Sequence, residues 1–506
     1  MIRIGLRAVA LVSMLALVLT VDGARAAAEH GGELDPSEDN GAAGRDNGFN
    51  GPQVTPAEAC DGQPAPSGSR VERRLPDGPR LADGSLAFVS GVCVYLPPGY
   101  DGDLRYPVVY LLHGGGGDHS DWMQNGGLRE IVDDAVAADP AAAAIVVMPD
   151  GDEPAAWYDR IDGAFLGETY VNDHLVPFID EEYRTIADRS GRAVVGLSNG
   201  GYGALHLAAK RPDLYSVAGS MSGNVAYRAT ENGGFGDPLA DAPFGDGQRP
   251  VSLIPNLDHV DLILDLGTEC IDDVVVDACV THTFDQLFLP DNTDLVTRLR
   301  AREGRGVVDV GWPEQGGHAW RWWSRWFRER QFPFVLARLD DPVAVPDPAP
   351  STPPTFDHRS VWPTFEVWGL RVEVERDARW EWLDLVDVSA NRMQIAGSGI
   401  ATITTPPDHR AGATYAVDGA VEPSVTADDA GRLTFDVDLG SDELATVTIE
   451  AVDAGGAVSG RAVPDGPDTG GKLPATGTST DWLLVMAVGL AGVLCVVLVT
   501  RRRRSR

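Results

Sequence analysis

The stretch Gly196-Leu197-Ser198-Asn199-Gly200-Gly201-Tyr202-Gly203 sets one serine in the pattern G-x-S-x-G. With 58 glycines among 506 residues such a match can arise by chance, so its surroundings must decide. Ala193-Val194-Val195 before it reads as a short buried strand, and Tyr202 to Lys210 after it reads as a helix that stops ahead of Pro212. A serine on a sharp strand-to-helix turn sits in strained backbone, tolerable where Gly196 and Gly200 remove Cβ clashes. Its Oγ then projects from the sheet edge as a nucleophile.

A serine hydroxyl is a weak nucleophile and needs a base, together with donors for the oxyanion. The glycine-rich stretch from Leu111 to Trp122, LLHGGGGDHSDW, follows an early strand, where backbone N–H groups can approach a substrate oxygen. The expected donors are the N–H groups of Gly115 and Asn199. Of ten histidines, His318 stands apart: it lies on a loop after a strand expected over Val307 to Val310 and before the last helix. His113 and His119 fall in the glycine-rich loop, and His206 on the elbow helix is expected to be packed. The acid should lie between serine and histidine, and Glu269, Asp272, Asp273 and Asp285 all qualify; spacing alone does not choose among them. Trp122, Asp150, Trp157 and Tyr158 follow expected strands and are candidates for lining the substrate cleft, with ordinary packing the alternative for the aromatics. No metal-ligand spacing occurs and no cofactor is expected.

These residues need a frame. Short apolar runs at Pro107 to Leu112, Ala144 to Pro149, Ala193 to Ser198, Ser216 to Ser222 and Asp261 to Gly267 alternate with helical stretches. That rhythm implies an α/β domain over 70–339, with a mostly parallel sheet covered on both faces. An earlier stretch, Ser85 to Asp103, alternates as an antiparallel strand would, and the unit closes on a helix from Ala319 to Leu339. Prolines over 340–355 mark a semi-rigid linker. Period-two alternation over 356–463 predicts a small antiparallel β-sandwich whose expected role is structural or spacing.

The ends and the composition bear on location. Arg3 and Arg7, an apolar run from Ala8 to Val21 and the small-x-small site Ala24-Arg25-Ala26 read as a signal peptide over 1–26. A Gly-, Asp- and Pro-rich arm over 27–69 is expected to be disordered. A net charge of −34, with Lys210 and Lys472 the only lysines, excludes nucleic acid as a partner because nothing could replace phosphate counterions. Outside the apolar tail lie Cys60, Cys93, Cys270 and Cys279, an even number suited to an oxidising compartment. The favoured pairs are Cys60 with Cys93 and Cys270 with Cys279, the second closing a short loop around an acidic insertion.

After a linker over 464–472, the segment 473–506 holds LPATG, an apolar run from Leu483 to Thr500 and an arginine tail. It resembles the cell-wall sorting signal of Gram-positive surface proteins. That likeness implies a sortase cutting between Thr476 and Gly477, peptidoglycan as the acceptor, and membrane contact only through a transient C-terminal transmembrane helix.

YPVVYLLHGGGG, VVMPDG, AVVGLSNGGYGALHLAAKRPDLY and GGHAWRWW together resemble the esterase D group of alpha/beta hydrolases, with its feruloyl esterases, S-formylglutathione hydrolases and secreted mycolyltransferases. The likeness runs from about Ser85 to Leu339 and implies an alpha/beta hydrolase fold. His318, Trp320 and Trp323 match an H-x-W-x-x-W pattern. In the mycolyltransferase branch the acid precedes an Asn-Leu helix start by seven residues; Asp285 stands at that spacing from Asn292, although Thr293 replaces the leucine. Feruloyl esterases place an aspartate after G-T-x, where this chain has Cys270, leaving Glu269 or Asp272 as fallback. The resemblance thus implies Ser198, His318 and Asp285 as a triad acting on an acylated carbohydrate or lipid. Acyl transfer to a sugar or lipid hydroxyl, or a non-catalytic surface adhesin, are the rival readings.

Overall fold

The computed structural model describes residues 55–452 except 61, 63, 81–83, 85–90, 101, 152–156, 228–233, 268–275, 303–305, 313–315 and 347–352. The expected signal peptide, the sorting segment, and Glu269, Cys270, Asp272 and Asp273 therefore lie outside the described residues, and with Cys270 the Cys270–Cys279 pairing.

Eight strands form one mixed sheet: β1 (Arg70–Arg74), β2 (Val92–Leu96), β3 (Val108–Leu112), β4 (Ile145–Pro149), β5 (Arg192–Leu197), β6 (Val217–Met221), β7 (Asp261–Asp265) and β8 (Val308–Gly311). Their order is β1-β2-β4-β3-β5-β6-β7-β8. β2 runs antiparallel to β1 and β4, and all later neighbours are parallel. This is an alpha/beta hydrolase-like fold. The strands β2 to β6 are buried at every position, which is why they read as unbroken runs of apolar and small residues. Alternate side chains feed two cores: Val108, Tyr110 and Leu112 enter one, and Val109 and Leu111 enter the other.

Order begins ahead of the boundary expected at residue 70. Cys60 and Cys93 form a disulfide with Cα atoms 5.8 Å apart, and both are buried beneath the sheet. Ser67 and Ser69 add hydrogen bonds to Asp133 on the helix Leu128–Ala138. A crosslink to a core strand fixes a segment whose composition alone reads as disordered. The last helix is also broken where a continuous one is expected: Trp320–Trp326 and Phe332–Leu336 are joined by a wider π-type turn over Phe327–Gln331.

The β-rich region carries β9 (Phe356–Ser360), β10 (Thr364–Val367), β11 (Leu370–Glu375), β12 (Leu383–Ser389), β13 (Arg392–Thr404), β14 (Thr414–Asp418), β15 (Ser424–Thr426) and β16 (Thr434–Ala451). Instead of two separate sheets, one antiparallel network links them all. Register shifts at Ala396/Ser398 and Gly399/Ile400 divide β13, whose first half pairs with β12 and second half with β11. Bulges bend a strand, so one long strand serves both layers of the small core.

This region packs directly on the α/β part. It belongs to the same compact unit as the α/β part. Asn256 Nδ2 donates to Arg359 O (3.0 Å) and Arg359 N–H donates back to Asn256 Oδ1 (2.8 Å). Arg302 grips Asp258 with two bonds of 2.6 Å and reaches Asp357 on β9 at 2.7 Å. Phe244 packs against Trp362 and Trp380. Among the described residues no helix is long and apolar enough to cross a membrane.

Candidate active site

β5 ends at Leu197 and the helix Asn199–Lys210 begins at once, leaving Ser198 as the single turning residue. Its backbone has φ 53° and ψ −119°, a region that costs a side-chain-bearing residue about 1–3 kcal/mol. The surroundings over-determine it: Ser198 N–H donates to Met221 O (2.8 Å), and Tyr202 N–H donates to Ser198 O (3.0 Å). A Cβ on Gly196 would strike the backbone of Gly200, and a Cβ on Gly200 would strike the carbonyls of His113 and Leu112. Glycine at both places is thus required by close backbone approach.

His318 lies on the loop between β8 and the helix Trp320–Trp326. Its Nε2 is 2.8 Å from Ser198 Oγ, and its Nδ1 is 2.9 Å from Asp285 Oδ1. A carboxylate only accepts, so Nδ1 carries the hydrogen and Nε2 turns a lone pair to the serine O–H. Asp285 comes from the helix Val276–Arg300 and is fully buried. Its other oxygen, Oδ2, accepts from Gly267 N–H (2.8 Å) and Ser222 O–H (3.0 Å). Asn292 Nδ2, two turns further on, donates to Gly223 O (2.9 Å) and fixes this helix against the end of β6.

The glycine-rich loop closes over the serine. A Cβ on Gly114 would come within 3.1 Å of Ser198 Cβ, and a turn from Gly114 O to Gly117 N–H (3.2 Å) holds Gly115 exposed at its tip. Asn199 is the first residue of its helix, and N–H groups of a first turn point outward along the axis. Behind the loop, His113 Nδ1–H donates to Gly114 O (2.7 Å), while its Nε2 accepts from Gly151 N–H (2.9 Å). Asp150 lies 3.3 Å from His119 Nδ1 and 3.6 Å from His113 Nε2. Burial alone would raise the Asp150 carboxyl, but the two imidazoles outweigh it and hold the group below the usual carboxylate range. Burial pushes nearby Asp121 up to about 7.

Comparison with known proteins bears on this geometry. Residues 89–332 match the family model described as "Putative esterase". The esterase match begins just ahead of β2, ends in the last helix and takes in Ser198, Asp285 and His318. Esterase Rv1288 of Mycobacterium tuberculosis (strain H37Rv) is 34% identical over 233 residues, covering 40% of this chain and 49% of that protein. The endo-1,4-beta-xylanase/feruloyl esterase of Xylanibacter ruminicola is 36% identical over 140 residues, covering 26% of this chain and 19% of that protein. The chain thus spans about half the length of the mycobacterial relative. Among solved structures, a ferulic acid esterase aligns over 54% of this chain and 98% of its own, with 23% identity and a TM-score of 0.43.

Within the esterase-matching region, the four expected cleft residues turn inward. Trp122 is 1% exposed and its Nε1–H donates to Leu112 O (3.2 Å). Trp157 is 0% exposed, packed on His113 and against Gly203, where any Cβ would meet its ring. Tyr158 packs on Phe235 with ring centroids 4.6 Å apart, and Asp150 is buried behind the loop. All four are buried, and the three aromatics are packed in the way the alternative reading expects. The rings beside the base are Phe284 and Phe288, with centroids 5.3 and 6.0 Å from that of His318. Phe284 is 42% exposed. Their spacing of four on a helix flanking Asp285 was a readable signal. Ser222 and the Gly267 N–H carried none, being one serine and one backbone group after short strands. His206 is packed: it stacks on Tyr202 and bonds Glu168 at 2.9 Å.

Proposed function

We propose that this chain is a serine esterase that hydrolyses carboxylic esters through an acyl-enzyme. Ser198 Oγ attacks the ester carbonyl while His318 Nε2 takes its proton; Asp285 keeps the imidazole in its Nδ1–H form and stabilises the imidazolium. The N–H groups of Gly115 and Asn199 receive the oxyanion. His318 returns the proton to the leaving alcohol, and water, activated by the same imidazole, releases the acid and restores the serine. What carries this reading is the unbroken hydrogen-bonded line from Ser198 through His318 to buried Asp285, at 2.8 and 2.9 Å. The feruloyl esterase named among the relatives makes feruloyl esters the first substrates to try. We further propose export and sortase-mediated attachment to a Gram-positive cell wall; the support is the sequence of the two ends, and Thr476→Ala should release the protein from wall fractions.

Labelling with a fluorophosphonate tests the chemistry. Wild-type protein should take up the probe and Ser198→Ala should not. Labelling that ignores Ser198, or fails in wild type, would sink the enzyme reading.

A further inference from the structure

Ser198 is not the only strained serine. Ser222, the residue after β6, has φ 54° and is fully buried. Among the described residues these are the two side-chain-bearing positions in the α/β part with positive φ; the other two, Trp368 and Asp387, lie in the β region. Glycine would adopt this backbone at no steric cost, so a serine here points to a use for its hydroxyl.

The bonds of that hydroxyl leave it one orientation. Trp323 Nε1–H can only donate, and it lies 3.1 Å from Ser222 Oγ. The serine oxygen accepts that bond, and its one proton goes to Asp285 Oδ2 at 3.0 Å. Gly267 N–H occupies the same carboxylate oxygen at 2.8 Å, so Oδ1 is left to face His318 Nδ1. The Trp323 ring also stands edge-on to the His318 ring, with centroids 5.0 Å apart. One tryptophan therefore orients the far side of the acid and packs against the base. Both hydroxyl and indole are buried, so no water competes for these bonds.

We propose that Ser222, oriented by Trp323, is a positioning residue for the proton relay: its O–H holds the Asp285 carboxylate in the rotamer that presents Oδ1 to His318. The proposal rests on the serine-esterase reading above. A purely structural hydroxyl would matter to folding and not to turnover, and the two roles separate in Ser222→Gly. Glycine suits φ 54° and relieves the backbone strain, while the buried Trp323 N–H loses its acceptor; the two effects offset, so this variant should stay folded and melt within a few degrees of wild type. It should nonetheless lose about 10- to 100-fold in kcat on a p-nitrophenyl ester, with KM within about twofold, because the lost bond acts on the chemical step. Trp323→Phe keeps an aromatic ring beside His318 but removes the N–H together with the rest of the pyrrole ring; its loss should be smaller than that of Ser222→Gly and in kcat.

The deciding measurement is a double-mutant cycle on the rate of fluorophosphonate labelling. If Ser222 works through Asp285, Ser222→Gly should cost little once Asp285→Asn is present. Ser222→Gly with unchanged kcat and labelling rate, or losses that multiply in the double variant, would overturn the proposal while leaving a Ser198-dependent wild type intact. A wild type that neither turns over the ester nor labels at Ser198 overturns the esterase reading, and this positioning role falls with it.

Discussion

Asp285 Oδ1 lies 2.9 Å from His318 Nδ1, though the acid sits on a helix and the base on a loop 33 residues later. Another buried carboxylate stands at the end of β7, but it is committed elsewhere: Asp265 binds Arg330 Nε at 2.6 Å and Gln331 Nε2 at 2.8 Å. The carboxylate that meets His318 therefore comes from the helix Val276–Arg300, and the seat of that helix bears on the proposed triad. The Asn292 bond to Gly223 O ties the helix to the strand end beside the nucleophile.

Asp285→Asn should keep the fold and lower kcat by about 10³- to 10⁴-fold, since an amide no longer enforces the Nδ1–H form of the imidazole or stabilises its cation. Asn292→Ala, which only loosens the seat of the helix, should cost far less. Steady-state kinetics beside circular dichroism would check both. Full activity in Asp285→Asn would remove it from the triad and return the search to Glu269 and Asp272.

Gly200→Ala is a fold test of the elbow. The added methyl would meet the carbonyls of Leu112 and His113, which belong to β3 and its exit and cannot swing aside. The substitution should destabilise by about 1–3 kcal/mol or prevent folding, as overpacking against rigid neighbours does. A denaturation midpoint equal to wild type would mean that the elbow backbone is looser than these contacts require.

The elbow was legible because its chemistry is local: strand, glycine, serine, glycine, helix, all within one short stretch. His318 was legible from chain order and its place before the last helix. Asp285 was not separable by spacing from Glu269, Asp272 and Asp273, because an acid may enter the site from either a loop or a helix; only the family resemblance selected it. For the candidate cleft aromatics the sequence left lining and packing both open, because a position after a strand does not say which way the ring turns. Trp157 turns inward because Gly203, on the helix after the next strand, leaves room for it. Period two found the β strands but not the bend at Gly399, which merges two layers into one network. The Asn256, Arg302 and Phe244 contacts are single residues with no period at all, so the sequence left a structural and a spacing role for the β region equally open.

Burial, aided by neighbouring Glu168, raises the Asp159 carboxyl from 3.8 to about 7 despite its two bonds from Thr169. Between these values the folded chain keeps a proton that the unfolded chain has lost, so this group makes stability fall as pH rises from about 4 to about 7. Asp159→Asn removes the titration and can still bond Thr169. Its melting temperature should gain on wild type by a few degrees between pH 4 and pH 8. Asp121, also raised to about 7 by burial, leaves part of the slope in place. Parallel melting curves for the two proteins across that range would refute the assignment.

The final prediction concerns the join between the two parts. Arg302 holds Asp258, whose side chain is 1% exposed, and Asp357 on β9. Arg302→Ala removes two close charge-assisted bonds from the buried Asp258 carboxylate, which should cost about 1–3 kcal/mol or more. Arg392 and Asp387, equally close at 2.7 Å but 45% and 51% exposed, supply the contrast. Arg392→Ala should change stability by less than about 1 kcal/mol, because water and salt screen an exposed pair. Since Arg302 spans both parts, its loss should also weaken their coupling. Calorimetry should give one cooperative transition for the intact chain and a lower, broader one for Arg302→Ala. Two resolved transitions in the wild type would mean that the β region melts on its own and that this junction does not couple the two parts.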